Sequence, residues 1–159
     1  RDTDLLSASL GPDSRTVKRN RVAAGLTYAA PSKLSLTAEV QYNGFAFDQV
    51  QWETAVATYG IEPMGAYLYE AQRRQDIASR KAMMVYISQL DAFVKNLELT
   101  GLVRYNADDH SRFIWAEARY HFRKMDLALQ WQTNQGRALS EYGAQPGRSL
   151  VQVLAAFYF

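Results

Sequence analysis

The feature that most constrains this chain is a two-residue hydrophobic period that returns over most of its length. From Leu34 to Tyr42, Leu34, Leu36, Ala38, Val40 and Tyr42 alternate with Ser35, Thr37, Glu39 and Gln41, and Asn43 continues the second set. Successive side chains of an extended chain point to opposite faces, so this segment is a strand with one apolar and one polar face. Leu97, Leu99, Gly101, Val103 and Tyr105 oppose Glu98, Thr100, Leu102, Arg104 and Asn106. Ile114, Ala116, Ala118, Tyr120 and Phe122 oppose Trp115, Glu117, Arg119 and His121, and Leu127, Leu129, Trp131 and Thr133 oppose Asp126, Ala128, Gln130, Gln132 and Asn134. Weaker alternation predicts strands over Thr3 to Leu10, Val17 to Ala30, Lys81 to Phe93 and Ser149 to Phe159. In the Lys81 segment Met83, Val85 and Ile87 share a parity with Lys81, Gln89 and Asp91, which leaves its facing open.

The connectors alternate in length. Tight turns are expected at Pro31-Ser32-Lys33, Val94-Lys95-Asn96 and Arg123-Lys124-Met125. Between them come the Gly11 to Arg15 loop, a long segment from Ala46 to Ser79, the Ala107 to His110 loop and a Gly-rich loop from Gln135 to Gly147. About eight strands with every second connection tight predict an all-β fold, an antiparallel up-and-down meander. Closure into a barrel would remove its two edges. Two facings are open to such a barrel. A soluble lipocalin-like barrel turns its apolar residues inward, and a transmembrane β-barrel turns them outward to lipid. Tyr28, Tyr42, Tyr105, Tyr120, Phe122, Phe157 and Phe159 fall on the apolar parity near strand ends, where amphipathic rings favour the two membrane interfaces. That placement agrees with the transmembrane reading.

Composition is compatible with it without requiring it. At 159 residues and 48% hydrophobic, the chain could also bury an ordinary single-domain core. The mean hydropathy is −0.30, and no apolar run approaches the roughly 20 residues that a membrane-crossing helix needs. A barrel strand crosses with only about 9 to 11 residues, alternate ones apolar. Eighteen Lys and Arg against sixteen Asp and Glu give a net charge of +2, scattered along the chain, which argues against a nucleic-acid partner. There is no cysteine, hence no disulfide and no thiolate metal site. The chain opens on Arg1 without a basic stretch leading into an apolar one, and reads as a processed or truncated product.

The final strand, Ser149-Leu-Val-Gln-Val-Leu-Ala-Ala-Phe-Tyr-Phe159, resembles the C-terminal targeting strand of Gram-negative outer-membrane proteins. Phe159 is the terminal aromatic, and Phe157, Ala155, Val153 and Val151 precede it at alternate positions. The resemblance implies the bacterial outer membrane, recognition by the barrel-assembly machinery and contact with outer-membrane lipid. The stretch from Ala38-Glu-Val-Gln-Tyr-Asn-Gly44 through Ser140-Glu-Tyr-Gly143 to the last strand is similar, more loosely, to the C-terminal part of porin-like proteobacterial barrels. Those are longer than this chain, which implies strands missing on the N-terminal side. No functional residue carries over from that likeness.

The polar parity, facing the lumen of such a barrel, carries Arg21, Glu39, Glu98, Arg104, Glu117, Arg119 and Arg148. These charges could select solutes at a constriction, or fill the interior as ion pairs. An Asn106 to Ser111 hairpin would set Glu98 directly opposite Arg119. The Ala46 to Ser79 segment contains helical stretches near Gln49 to Tyr59 and Ala66 to Ile77, and could plug the lumen, bind a partner or cap the outside. Asp108, Asp109 and His110 bring together acidic and histidine groups suited to activating water, but adjacent polar residues are also ordinary turn formers. His121 reads as a lining residue, since no second ligand stands at metal spacing. No cofactor motif is present. Three functions therefore stay open, in this order: a porin-like channel for small solutes, a closed structural or adhesive barrel working through its outer loops, and an outer-membrane hydrolase.

Overall fold

The computed structural model describes residues 20–159 apart from 75 and 146. The expected Thr3 to Leu10 strand and the start of the next lie outside the described residues. Within them the fold is all-β, an up-and-down antiparallel sheet of seven strands. They are β1 (Arg21–Ala29), β2 (Leu34–Asn43), β3 (Lys81–Leu90), β4 (Leu97–Asn106), β5 (Arg112–His121), β6 (Met125–Gln135) and β7 (Ser149–Phe157). Each strand pairs with the next in sequence, and the sheet is not closed: β1 and β7 are its edges among the described residues. Two helices, α1 (Gln49–Tyr59) and α2 (Ile61–Arg73), lie in the connection from β2 to β3. The second begins and ends earlier than the sequence pattern suggests.

The tight connections are held by polar side chains and by residues that accept a positive φ. Lys33 has φ 64° and Asn96 φ 68°, and the Lys33 amide donates to the Ala30 carbonyl at 3.0 Å. Asp91 joins two turns: its carboxylate accepts from the Asn96 amide at 2.7 Å and from Lys33 Nζ at 2.5 Å. Both partners hold its carboxyl below the usual carboxylate range, Lys33 the more strongly.

In β2, β3 and β6 the apolar face of the sheet is the more accessible one, whereas in β4 and β5 both faces are mostly half-buried. In β2, Leu36, Ala38, Val40 and Tyr42 are exposed, whereas Ser35, Thr37, Glu39 and Gln41 are half-buried and Asn43 is buried. In β3, the facing left open by the sequence is resolved by pairing. Val85 stands between Ala38 and Val103 and Met83 between Val40 and Tyr105, so Met83, Val85 and Ile87 join the open apolar face. Met84 and Tyr86 thereby turn to the sheltered face, which is less uniformly polar than the alternation implies. In β6, Leu127, Leu129 and Trp131 are exposed while Asp126 and Ala128 are buried. The edge strands β1 and β7 are exposed on both faces.

Register gives the sheet a stagger. A row of cross-strand neighbours runs Tyr28, Leu36, Ile87, Gly101, Ala116, Trp131, Val151. It starts beside the tight-turn end of β1 and finishes near the long-loop end of β7. A sheet whose strands climb steadily past one another in this way has the tilt that barrel closure requires. Side chains on the open face of the row are apolar or glycine throughout.

The compact apolar core belongs to the connector rather than to the sheet. Ala55, Met64, Tyr67, Ala71 and Ala78 are buried together, with Phe47, Trp52, Val56 and Leu68 packed around them. Asp48 caps α1, accepting from the Gln51 amide at 2.8 Å, while the Gln51 side chain accepts from the Asp48 amide. Tyr67 is the hub. Its hydroxyl donates to the Ala78 carbonyl at 2.6 Å, and its ring lies 4.9 Å from that of Phe47 and 5.9 Å from Trp52. The core holds α1 and α2 against each other and against the Phe47 and Ala78 segments that flank them.

Candidate functional site

Two polar groupings occupy the sheltered face, one toward each end of the strands. The first lies near the tight turns. Arg119 donates through Nε and Nη2 to Glu117 at 2.8 and 3.0 Å, a bidentate contact along its own strand. Gln130 donates to the same Glu117 carboxylate, and Gln152 to Gln130. His121 stands 3.0 Å from Asp126 and 3.3 Å from Glu98, and Tyr158 donates to Asp126 at 2.7 Å. Glu98, Glu117 and Arg119 thus belong to one network that crosses from β4 to the end of β7. Glu98 and Arg119 are cross-strand neighbours as the hairpin argument required. Their ion pair does not form, because Glu117 offers the guanidinium both oxygens and Glu98 is turned to His121.

The second grouping is made by the long loops. Arg21, at the start of β1, reaches Asp76 at 3.2 Å, with its guanidinium 4.8 Å over the Phe45 ring. Arg80 bonds Asp48 at 2.8 Å and Gln51 at 2.6 Å, which ties α1 to the start of β3. Trp52 Nε1 donates to the Leu139 carbonyl at 2.5 Å, joining α1 to the loop between β6 and β7. That loop is shaped by close approach at glycine. A Cβ on Gly143 would stand 1.9 Å from the Arg137 carbonyl oxygen, and one on Gly136 2.1 Å from Ser140 Oγ. The resulting fold brings Glu141 and Tyr142 over the sheet, with the Tyr142 ring stacked on Phe113 at 6.2 Å.

Between these loops lies a cavity of about 470 Å³, walled by α2, the Asp76 to Ala78 segment, Arg104 of β4 and the Glu141 to Gln145 segment. Glu141 Oε2 accepts from Asn106 Nδ2 at 2.9 Å, and the Glu141 amide donates to Asp109 at 2.7 Å. Burial and the nearby Asp109 carboxylate raise the Glu141 carboxyl to about 7, against the opposing pull of Arg104. Burial likewise pushes the Tyr142 hydroxyl up. Ser79 Oγ is buried within reach of Glu141 without a formed hydrogen bond.

Apart from Asp109, which meets Glu141 beside the cavity, the remaining candidates fall outside these groupings. Glu39 accepts from Gln41 on its own strand. Arg148 is an exposed residue of the last loop, where its carbonyl accepts from Asn134 and Thr133. Asp108, Asp109 and His110 diverge: Asp108 accepts from the Lys81 amide, Asp109 from Ser111 and Glu141, and His110 Nδ1 pairs with the Tyr105 hydroxyl at 2.6 Å. Both carboxylates are engaged by backbone amides, which is turn chemistry. Val151, Val153, Ala155 and Phe157 take the open face of β7 opposite Trp131, Leu129, Leu127 and Met125, and Phe159 is fully exposed beyond them. Among the described residues no cluster of His and carboxylate groups is arranged to hold a metal ion.

Glu141, Tyr142 and Asp76 carry no sequence signal of a site. Only the spacing of Gly136, Gly143 and Gly147 hinted that this loop has a defined shape. No protein-family model, curated protein or solved structure matches the chain.

Proposed function

We propose that the chain forms the wall of a transmembrane β-barrel in a bacterial outer membrane and serves as a porin-like channel for small solutes. The reading rests on the inverted facing of the sheet. Val40, Val85, Leu129 and Val153 lie on an open face, with 45 to 66% of their surface accessible, while the charged ladder of Glu98, Glu117, Arg119 and Asp126 is sheltered, its side chains 8 to 30% accessible. In water a continuous apolar surface of this extent would be an aggregation hazard. In a bilayer it is the lipid-facing surface, and the ladder lines an aqueous interior. Further strands pairing with the open edges of β1 and β7 would complete the barrel, since no backbone donor or acceptor can stay unpaired in hydrocarbon. Those strands, outer-membrane lipid and the barrel-assembly machinery are the partners of this reading.

The link between Trp52 and Leu139 favours a second reading. Two long loops joined over the sheltered face would narrow or close a lumen, as in a structural or adhesive barrel acting through its outer surface.

Extraction and conductance separate the possibilities. The channel reading expects the protein to need detergent, to show heat-modifiable gel mobility, and to give single-channel conductance that falls on substitution of Arg104 or Arg119. Free solubility without detergent would refute the membrane reading altogether. Folding in the membrane without conductance would select the closed barrel.

A further inference from the structure

Most charged side chains on the sheltered face are satisfied by neighbours. Arg119 holds Glu117, His121 lies between Glu98 and Asp126, and Arg21 holds Asp76. Arg104 differs. Its cross-strand neighbours are Met84 on β3 and Phe113 on β5, neither of which has a side-chain oxygen for a guanidinium. It makes no hydrogen bond or ion pair among the described residues, although its charge is felt by Glu141. Its five donors, set in a planar fork that matches a carboxylate, are left to the cavity that Arg104 lines.

We propose that this cavity binds a small organic monocarboxylate, with the carboxylate on the Arg104 guanidinium and an apolar body against α2. Three features of the walls narrow the ligand to that class. The volume of about 470 Å³ suits a small molecule. Leu68, Ala71, Ile77 and Ala78 offer apolar surface, and Tyr69 and Tyr142 add aromatic faces. The charge balance tolerates one negative group only. Among the described residues of the walls Arg104 is the unpaired cation, Asp76 is neutralised by Arg21, and the Asp109 carboxylate beside Glu141 would repel a second anionic centre. A protonated Glu141 gives no repulsion and can donate to the ligand, so affinity falls as pH rises past about 7. As the solute class of the proposed channel this inference rests on that reading; as a binding site it does not, because equilibrium binding needs no conductance.

The test uses the full chain folded in detergent micelles, titrated calorimetrically at pH 6 with benzoate, benzyl alcohol and inorganic phosphate. Benzoate should bind at least tenfold more tightly than either of the others. Arg104→Gln should weaken benzoate at least tenfold, and Arg104→Lys should fall between, keeping the charge without the fork. A second variant guards against misfolding: a Cβ on Gly65 of α2 meets no heavy atom within 4 Å, so Gly65→Leu should fill the cavity and abolish benzoate binding while keeping heat-modifiable mobility. The site is overturned if the folded protein does not bind benzoate, if benzyl alcohol or phosphate binds as well, or if neither variant weakens it. Conductance without benzoate binding would sink this proposal alone, and benzoate binding without conductance would sink the channel alone.

Discussion

Glu98 and Arg119 face each other directly across β4 and β5, yet the guanidinium bonds Glu117 two residues along its own strand and the carboxylate turns to His121. Residues two apart in a strand share a face, so Arg119 can choose between a neighbour across the ladder and one along it. Glu117 is 8% exposed against 30% for Glu98, and it presents both oxygens.

That choice is measurable. A double-mutant cycle on the refolded protein should give a coupling of about 1 kcal/mol between Glu117 and Arg119, and under about 0.5 kcal/mol between Glu98 and Arg119. Equal couplings would mean that Arg119 exchanges between its two carboxylates.

Facing can be tested one residue at a time. Val85 sits on the open face between Ala38 and Val103. If that face meets lipid, Val85→Arg should destabilise folding into liposomes by about 2 to 4 kcal/mol, the cost of a basic side chain near the bilayer midplane. Thr37→Arg, on the sheltered face, should cost distinctly less. A Val85→Arg protein that folds equally well and gains solubility would place the open face in water.

The last loop depends on its glycines through contact. Gly143→Ala should force the loop off the sheet, because the new Cβ would overlap the Arg137 carbonyl oxygen. A loss of about 1 to 3 kcal/mol is expected, together with faster proteolysis between Arg137 and Gly147. Gly65→Ala, placed in open space on α2, should be neutral or stabilising by up to about 1 kcal/mol. Resistance of the Gly143 variant to protease would contradict the packing of this loop.

Glu141 predicts a pH dependence of defined sign. Its carboxyl in the folded chain is raised to about 7, by burial first and by Asp109 second, whereas an unfolded glutamate titrates near about 4.3. The folded state holds the proton more tightly, so the docked loop is most stable below the unfolded value, loses stability as pH rises from about 4 to about 7, and changes little above. Protease sensitivity of the loop should rise over that window, and Glu141→Gln should flatten the profile. An unchanged profile in the variant would assign the dependence to another group.

How much of this was legible before the fold was known depends on the range of the interactions involved. Strand positions, the tight turns at Lys33, Asn96 and Lys124 and the Glu98 to Arg119 register follow from local rules, because alternation and turn chemistry act over a few residues. The Lys81 segment shows where local pattern stops. Met83 and Val85 share a parity with Lys81 and Asp91, and only pairing with β2 and β4 assigns that parity to the open face.

The candidate site was less visible. Arg104 could be marked as a polar-parity charge, but its lack of a partner among the described residues is a property of Met84 and Phe113, which flank it from strands β3 and β5. Glu141 and Asp76 are separated by 65 positions of chain and meet around one cavity only because two loops fold over the same end of the sheet. The alternation of side chains, by itself, determined an antiparallel meander with one apolar and one polar face, since a period of two is built into extended backbone. Tertiary structure alone decided which partner each charge takes and where a cavity remains, because those outcomes depend on distances between residues that no local rule relates.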